Sequence, residues 1–224
     1  MAMAAHTATN MAQQLMTTDA LTLSQLLSPN FPVGAFAYSH GLEMAVDDGF
    51  ISDSITLEAW LIDLLEFGTA RSDAVILNTA YGSNDPTINA TARAFATSAE
   101  RLMETDLQGR AFCDTVLAVW GHNLGQLCYP VAVGQIAYIL ELDVELTTAM
   151  YLQAFIANLT TAATRLLKIG QIDCQKIQLA LKPHCIKIAT SLRGATLEDL
   201  HNSAWLSDIE AMRHEKQYSR IFRS

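Results

Sequence analysis

Six histidines and four cysteines carry whatever soft chemistry this chain can do, so their spacing comes first. His40 and Glu43 stand three apart on an expected helix and could share one face, as a metal pair would, but two ligands leave a site incomplete. His122 and Cys128 fall at the ends of two expected buried helices, where soft nickel coordination can be written. Those four side chains are the ligand set of one reading, a helical nickel-binding metalloprotein. His184 and Cys185 are adjacent, about 100° apart on a helix, and chelate poorly as a pair. His214-Glu215-Lys216-Gln217-Tyr218 opens like His-Glu-x-x-His, yet Tyr218 stands where zinc needs its second imidazole. No Gly-x-x-x-x-Gly-Lys-Ser/Thr loop offers to cradle a nucleotide, and no Gly-x-Ser-x-Gly elbow presents a serine nucleophile. No catalytic residue and no metal site is therefore assigned, and the chain reads as one that makes no bonds itself.

The composition points the same way. Of 224 residues, 50% are hydrophobic and only 17% charged, which leaves little charge to cover a free surface and favours an oligomer or an obligate partner. A net charge of -9 argues against phosphate-backbone binding, so nucleic acid is an unfavourable partner. Cys113, Cys128, Cys174 and Cys185 form no Cys-x-x-Cys pair and read as buried reduced thiols. Residues 1–18 lack Lys and Arg and read as a flexible N-terminal extension rather than a leader, from which a cytoplasmic location follows. Thr115 to Leu140 carries no Asp, Glu, Lys or Arg and is long enough to span a bilayer. It is broken by Gly121, His122, Asn123, Gly125, Gln126, Pro130 and Gln135, so two buried helices meeting near Pro130 are expected and no membrane span.

The positioning elements are all helical. Leu21, Leu23, Leu26 and Leu27 make a helix that stops at Pro29. A loop follows, because Pro29 and Pro32 each remove a donor and push the preceding residue toward extended geometry. Phe31, Phe36 and Tyr38 are its apolar anchors, and Ser39 is placed to cap the short helix Leu42 to Val46. Ser54 is expected to cap the next helix, where Leu57, Trp60, Leu61, Leu64 and Leu65 repeat at helical spacing. Ala70 to Tyr81 continues past Gly68. Two helices are expected between Thr87 and Leu127, another over Val131 to Leu140, and the longest from an Asp143 cap to Lys168. Between Leu146 and Thr164 that helix has no charge, which predicts burial all round and the centre of the fold. Gly170 ends it. A helix from Asp173 to Leu181 is expected to stop at Pro183, with a short one over Ile186 to Leu192, and Gly194 to close the packed part. No strand-like alternation occurs, so the class is all-α: one domain of short helices around a long buried one, over residues 19–212.

Residues 213–224 differ from the rest. They hold four basic side chains and one acidic, interleaved with Tyr218 and Phe222, and show no helical period. Tyr and Arg dominate binding hot spots, so the segment reads as a partner-docking tail.

Four stretches resemble one family in order. Pro32-Val33-Gly34-Ala35-Phe36-Ala37-Tyr38-Ser39-His40-Gly41-Leu42-Glu43 looks like the N-terminal signature of the urease accessory protein F family. Gln108-Gly109-Arg110-Ala111-Phe112, with Glu100 and Arg101 upstream, is similar to its middle segment. Tyr129 to Gly134 and Ala157 through Asp173 are similar to its next helix start and long-helix end, and Arg213 to Ser224 is similar to its C-terminal signature. Cys128 departs from an expected histidine, which weakens any metal role there, and Ile221 from leucine, a near-isosteric swap. The resemblance implies a non-enzymatic, homodimeric, all-helical scaffold with no bound cofactor of its own, working in a nickel- and GTP-dependent pathway. Its implied partners are urease accessory protein D, also called H, the nickel-carrying accessory GTPase G and apo-urease. Accessory protein D would be met by Phe36, Tyr38, Ser39, His40 and Glu43 together with Arg213, Gln217, Tyr218, Arg220, Phe222 and Arg223. Arg165 is the candidate for contact with the GTPase.

Overall fold

A computed structural model describes residues 17–224; the expected extension at 1–16 lies outside the described residues, and positions 17 and 18 already belong to the first helix, α1, at 17–26. The further helices are α2 Leu42–Asp47, α3 Ser54–Phe67, α4 Thr69–Ala80, α5 Pro86–Ala94, α6 Ala99–Trp120, α7 Tyr129–Ile139, α8 Val144–Leu166, α9 Gln171–Ser191 and α10 Trp205–His214. No strand occurs among the described residues, and the fold is all-α.

The starts of α3, α5, α6 and α8 follow from local hydrogen bonding. Asp53, one residue before the expected cap, accepts the Ile55 and Thr56 amides at 3.1 and 2.9 Å, while the Thr56 hydroxyl accepts the Asp53 amide at 3.1 Å. The longer aspartate reaches the second and third amides, and Ser54 becomes the first helical residue. Ser98 and Asp143 cap α6 and α8 in the same way, at 3.0 and 2.7 Å. In α3 the stripe Leu57, Trp60, Leu61, Leu64 and Leu65 is buried as its spacing predicts.

The main core gathers Leu57, Leu61, Leu64 and Leu65 of α3, Leu152, Ile156 and Leu159 of α8, and Leu181, Cys185 and Ile188 of α9. A second cluster joins α1, α6 and α7 through Leu23, Leu26, Phe31, Phe112, Val116 and Ile136. Phe31 sits against Phe112 and Trp120, with ring centroids 5.2 and 6.3 Å away.

Three expectations are corrected. First, α8 is not buried all round: Gln153, Ala154, Ala157, Asn158 and Thr161 face a cavity of ≈ 440 Å³ that opens to the surface between α8 and the loop after α1. An uncharged helix face of Ala, Thr and amides tolerates that boundary as well as it tolerates a core. Second, α9 runs unbroken through Pro183. The missing amide would have donated to Leu179, which is on the water-facing side with the proline, so solvent can take the orphaned carbonyl. Third, Gly194 does not end the packed part, because α10 and the residues after it pack back onto the body.

α7 crosses α4 closely enough that a Cβ on Gly134 would lie 2.4 Å from the Leu77 carbonyl oxygen. Helix propensity alone favours Gly134→Ala by about 1 kcal/mol, whereas overpacking of this kind costs about 1–3 kcal/mol. The contact is to rigid backbone and should win, so urea unfolding of Gly134→Ala is expected to show a net loss of about 1–2 kcal/mol.

Candidate functional site

The densest polar chemistry in the molecule surrounds its C-terminal segment. His40 (φ 52°) and Gly41 (φ 75°) are consecutive left-handed residues that turn the chain into α2. A Cβ at Gly41 would come within 2.8 Å of the Ala211 amide nitrogen, so α10 rests directly on this bare backbone. The turn aims Glu43 at the end of the chain. Its carboxylate accepts the Ile221 amide at 2.7 Å and the Phe222 amide at 2.9 Å, and meets His214 Nε2 at 3.3 Å.

Main-chain contacts continue the lock. The Arg223 amide donates to the Ala37 carbonyl at 2.8 Å, and the Ser39 amide donates to the Ser224 carbonyl at 2.5 Å, where the Ser39 hydroxyl also donates. Ser39 additionally accepts the Glu43 amide at 3.4 Å, but it does not stand at the cap its type suggested: the N-cap of α2 is Gly41, two residues on. The segment is extended, so side chains alternate: Phe222 and Ser224 are buried, while Ile221 and Arg223 face out. Phe222 enters the main core, and the Arg165 guanidinium lies 5.6 Å from its ring centroid.

Beneath the tail, α6 supplies acids from within. Glu100 takes His214 Nδ1 at 2.7 Å and is paired with Arg220. Glu104, 2% exposed, meets His40 Nε2 at 3.0 Å, accepts Gln108 at 2.9 Å and Ser224 Oγ at 3.3 Å, and forms an ion pair with Arg101 at 3.6 Å. Arg101 also pairs with Asp73 at 2.5 Å, which accepts the Tyr151 hydroxyl at 2.8 Å. Burial pushes the Glu104 carboxyl up, but the His40 and Arg101 charges and the hydrogen bonds from His40 and Ser224 outweigh it and hold the group below its ordinary value. Burial and then Asp73 push the Tyr151 hydroxyl well up. Every buried charge thus has a partner, the condition for keeping it folded inside.

The expected partner residues divide in two. Tyr38, Ser39, His40, Glu43 and Phe222 are buried, and Ser39 and Glu43 bond the tail to its own chain. Phe36, Tyr218, Arg220 and Arg223 are exposed, Tyr218 wholly so; Arg213 is half exposed and paired with Asp48 and Glu210, and Gln217 is half-buried. Phe36 is therefore not the core anchor its type suggested. His40 precedes α2 instead of sharing a helix face with Glu43, and the two reach different partners. Arg165 stacks on Phe222 and makes no capping ion pair among the described residues.

The alternative ligand set does not assemble. Among the described residues no group of three or more His, Cys, Asp and Glu side chains is placed to hold a metal ion. Cys128 is buried beside Asp106, with its sulfur 3.7 Å from the carboxylate, and burial followed by that charge pushes its thiol up to about 12. A thiol so firmly protonated is a poor ligand.

Glu104, Asp73, His214 and Ser224 carry the lock yet escape sequence reasoning. One signal was available: Glu100, Arg101, Glu104 and Gln108 fall at i, i+1, i+4 and i+8 on one side of α6, a polar run that continues into the buried Phe112. α10 is inverted outright. Ser207, Glu210, Ala211 and His214 face inward, and Trp205, Ile209 and Met212, spaced i, i+4 and i+7, face out.

Comparison with known proteins gives a consistent picture. A family model described as UreF matches residues 51–182. The chain is 49% identical over 208 residues to the urease accessory protein UreF of Ruegeria pomeroyi, covering 91% of this chain and 96% of that protein. It is 48% identical over 214 residues to that of Roseobacter denitrificans, with 94% and 96% covered. Against that of Methylorubrum populi it is 40% identical over 222 residues, with 92% and 99% covered.

Two outcomes test the lock. Glu43→Ala strands two buried amides, at about 1–3 kcal/mol each, so hydrogen exchange at Ile221 and Phe222 should accelerate about tenfold or more while α3 amides are unchanged. Glu104, lowered from 4.5, contributes stability that is fully present above that value. As pH falls below it the unfolded chain takes up a proton first, so stability declines through the folded value. Urea unfolding between about pH 5 and pH 3 should therefore show a steeper acid loss in the native protein than in Glu104→Gln.

Proposed function

The chain belongs to the UreF family, and from that premise and the locked terminus we propose that it is a non-enzymatic scaffold for urease maturation. It bridges urease accessory protein D/H and the nickel-carrying accessory GTPase G so that nickel reaches apo-urease, and it works as a homodimer in the cytoplasm. No helix among the described residues is long and apolar enough to cross a membrane.

The observation that carries this reading is the outward apolar face of α10 beside the locked tail. Trp205 is 74% exposed, and Ile209, Met212, Ile221 and Tyr218 are exposed with it. A helix whose polar side is spent inward and whose aromatic and aliphatic side meets water has a strong drive to be covered by another protein. We assign this face, with Arg223 and Phe36, to accessory protein D/H, and the Arg165 end of α8 to the GTPase. Within this reading Tyr38, Ser39, His40, Glu43 and Phe222 act from behind, by fixing the tail that displays the outer residues.

The nickel-binding alternative is the weaker reading because three of its four donors are already engaged: His40 with Glu104, Glu43 with two main-chain amides and His214, and Cys128 held as a thiol.

Deleting residues 213–224 would open the core at Phe222 as well as remove contacts, so surface substitutions test the proposal cleanly. Tyr218→Ala combined with Ile209→Ser should weaken pull-down of accessory protein D/H about tenfold or more, with thermal stability shifted by less than about 1 kcal/mol. Undiminished pull-down by the folded double variant would overturn the assignment.

A further inference from the structure

α9 carries a second unpartnered face, of opposite character to the acidic body. Its inner side packs Cys174, Ile177, Leu181, Cys185, Ile188 and Ala189 into the core. Its outer side presents Ile172, Leu179 and Ile186, exposed by 73%, 66% and 59% and spaced i, i+7 and i+14, with Pro183 exposed between the last two. That is an apolar line about 21 Å long at 1.5 Å per residue.

The line is bordered by cations. Lys176 and Lys187 project on one side of it and Lys182 on the other, by the 100° step of the helix. Residues 165–193 hold Arg165, Lys168, Lys176, Lys182, Lys187 and Arg193 against Asp173 alone, in a chain of net charge -9. From the neighbouring helices Glu66 meets His184 at 2.9 Å and Lys187 at 3.5 Å, and Glu145 meets Thr190 and Arg193; within α9, Asp173 meets Lys176 at 3.3 Å. Lys168 and Lys182 make no ion pair among the described residues.

We infer that this face docks an acidic amphipathic helix of a partner protein, its apolar stripe laid along Ile172, Leu179 and Ile186 and its carboxylates set against the flanking lysines. Charge complementarity selects that occupant. A second copy meeting this face with its own would set lysines against lysines, which is repulsive. A lipid surface would be served by a broad apolar face with interfacial aromatics, whereas α9 contains no Trp, Tyr or Phe and is tied along its length to a rigid core. The surface is separate from the α10 face, and the inference does not rest on the partners proposed above.

The test uses the full chain and a fluorescein-labelled peptide of about 18 residues, long enough to span the line as a helix, with leucines on one face and glutamates beside them. Anisotropy should show saturable binding that weakens about tenfold or more in Leu179→Glu and in Lys182→Glu with Lys187→Glu, and that falls as salt is raised. These positions are exposed, and unchanged circular dichroism establishes that the variants fold. A peptide of the same composition in scrambled order should bind about tenfold more weakly. Absence of saturable binding, or equal binding by the variants, overturns the inference. So does self-association in velocity sedimentation that Leu179→Glu abolishes, which gives the face to a second copy, or co-flotation with phosphatidylserine vesicles abolished by the same substitution, which gives it to lipid.

Discussion

One carboxylate organises the functional end of this molecule. Glu43 accepts two successive main-chain amides at 2.7 and 2.9 Å and touches His214, which in turn contacts Glu100 on α6. Charged acceptors on main-chain donors make hydrogen bonds about twice as strong as neutral ones. The result ties three distant parts of the chain, the start of α2, the start of α6 and the last residues, into one cluster. Without it, residues 221–224 would lack the apolar area to order themselves, since Phe222 and Ser224 are the only side chains there that go inside.

That cluster explains why α10 is inside out and why the buried side of α6 carries charge. An acid buried in the core needs a cation or donor facing it, so α6 turns Glu100, Arg101, Glu104 and Gln108 inward and α10 turns Glu210 and His214 inward. In α10 the apolar Trp205, Ile209 and Met212 are then left on the surface. α6 differs, because the same buried side continues into Phe112, Cys113 and Val116, which supply apolar burial. The exposed row on α10 is therefore a structural consequence of the lock as well as the feature that makes docking by another protein favourable.

Much of the body was legible from residue types alone. Helical periodicity placed α3 and its buried stripe, Asp143 marked the start of α8, and the helix expected from Thr87 is α5, with Asp85 accepting the Thr87 amide at 2.8 Å. Local signals sufficed because the interactions are local. The misses share the opposite cause. α10 has no inward apolar stripe to detect, α9 persists through Pro183 because the proline lies on the water-facing side while Leu181 and Cys185 are packed on the other, and the tail is held by Glu43 from 178 residues away in sequence. The signature residues around Tyr38 and Glu43 were legible as a site, but their direction, inward to their own tail, was not.

Burying several charges is an inefficient route to stability, since apolar residues of similar size often serve as well or better. Register is where the ionic arrangement differs from a greasy one. The extended tail alternates inside and outside with a period of two, so a slip of one residue would drive Ile221 and Arg223 inward and expel Phe222 and Ser224. Hydrophobic contact alone discriminates weakly here, because Ile221 could replace Phe222 at a loss of only about 1–3 kcal/mol. The main-chain amides do not discriminate, since those of the next residues would meet Glu43 and Ala37 in their place, but slipping moves the Arg220 and Ser224 side chains away from Glu100 and Glu104. A buried carboxylate left without its partner is costly, so these two contacts add to the apolar penalty. The buried charges thus fix which side chains of the terminus face outward.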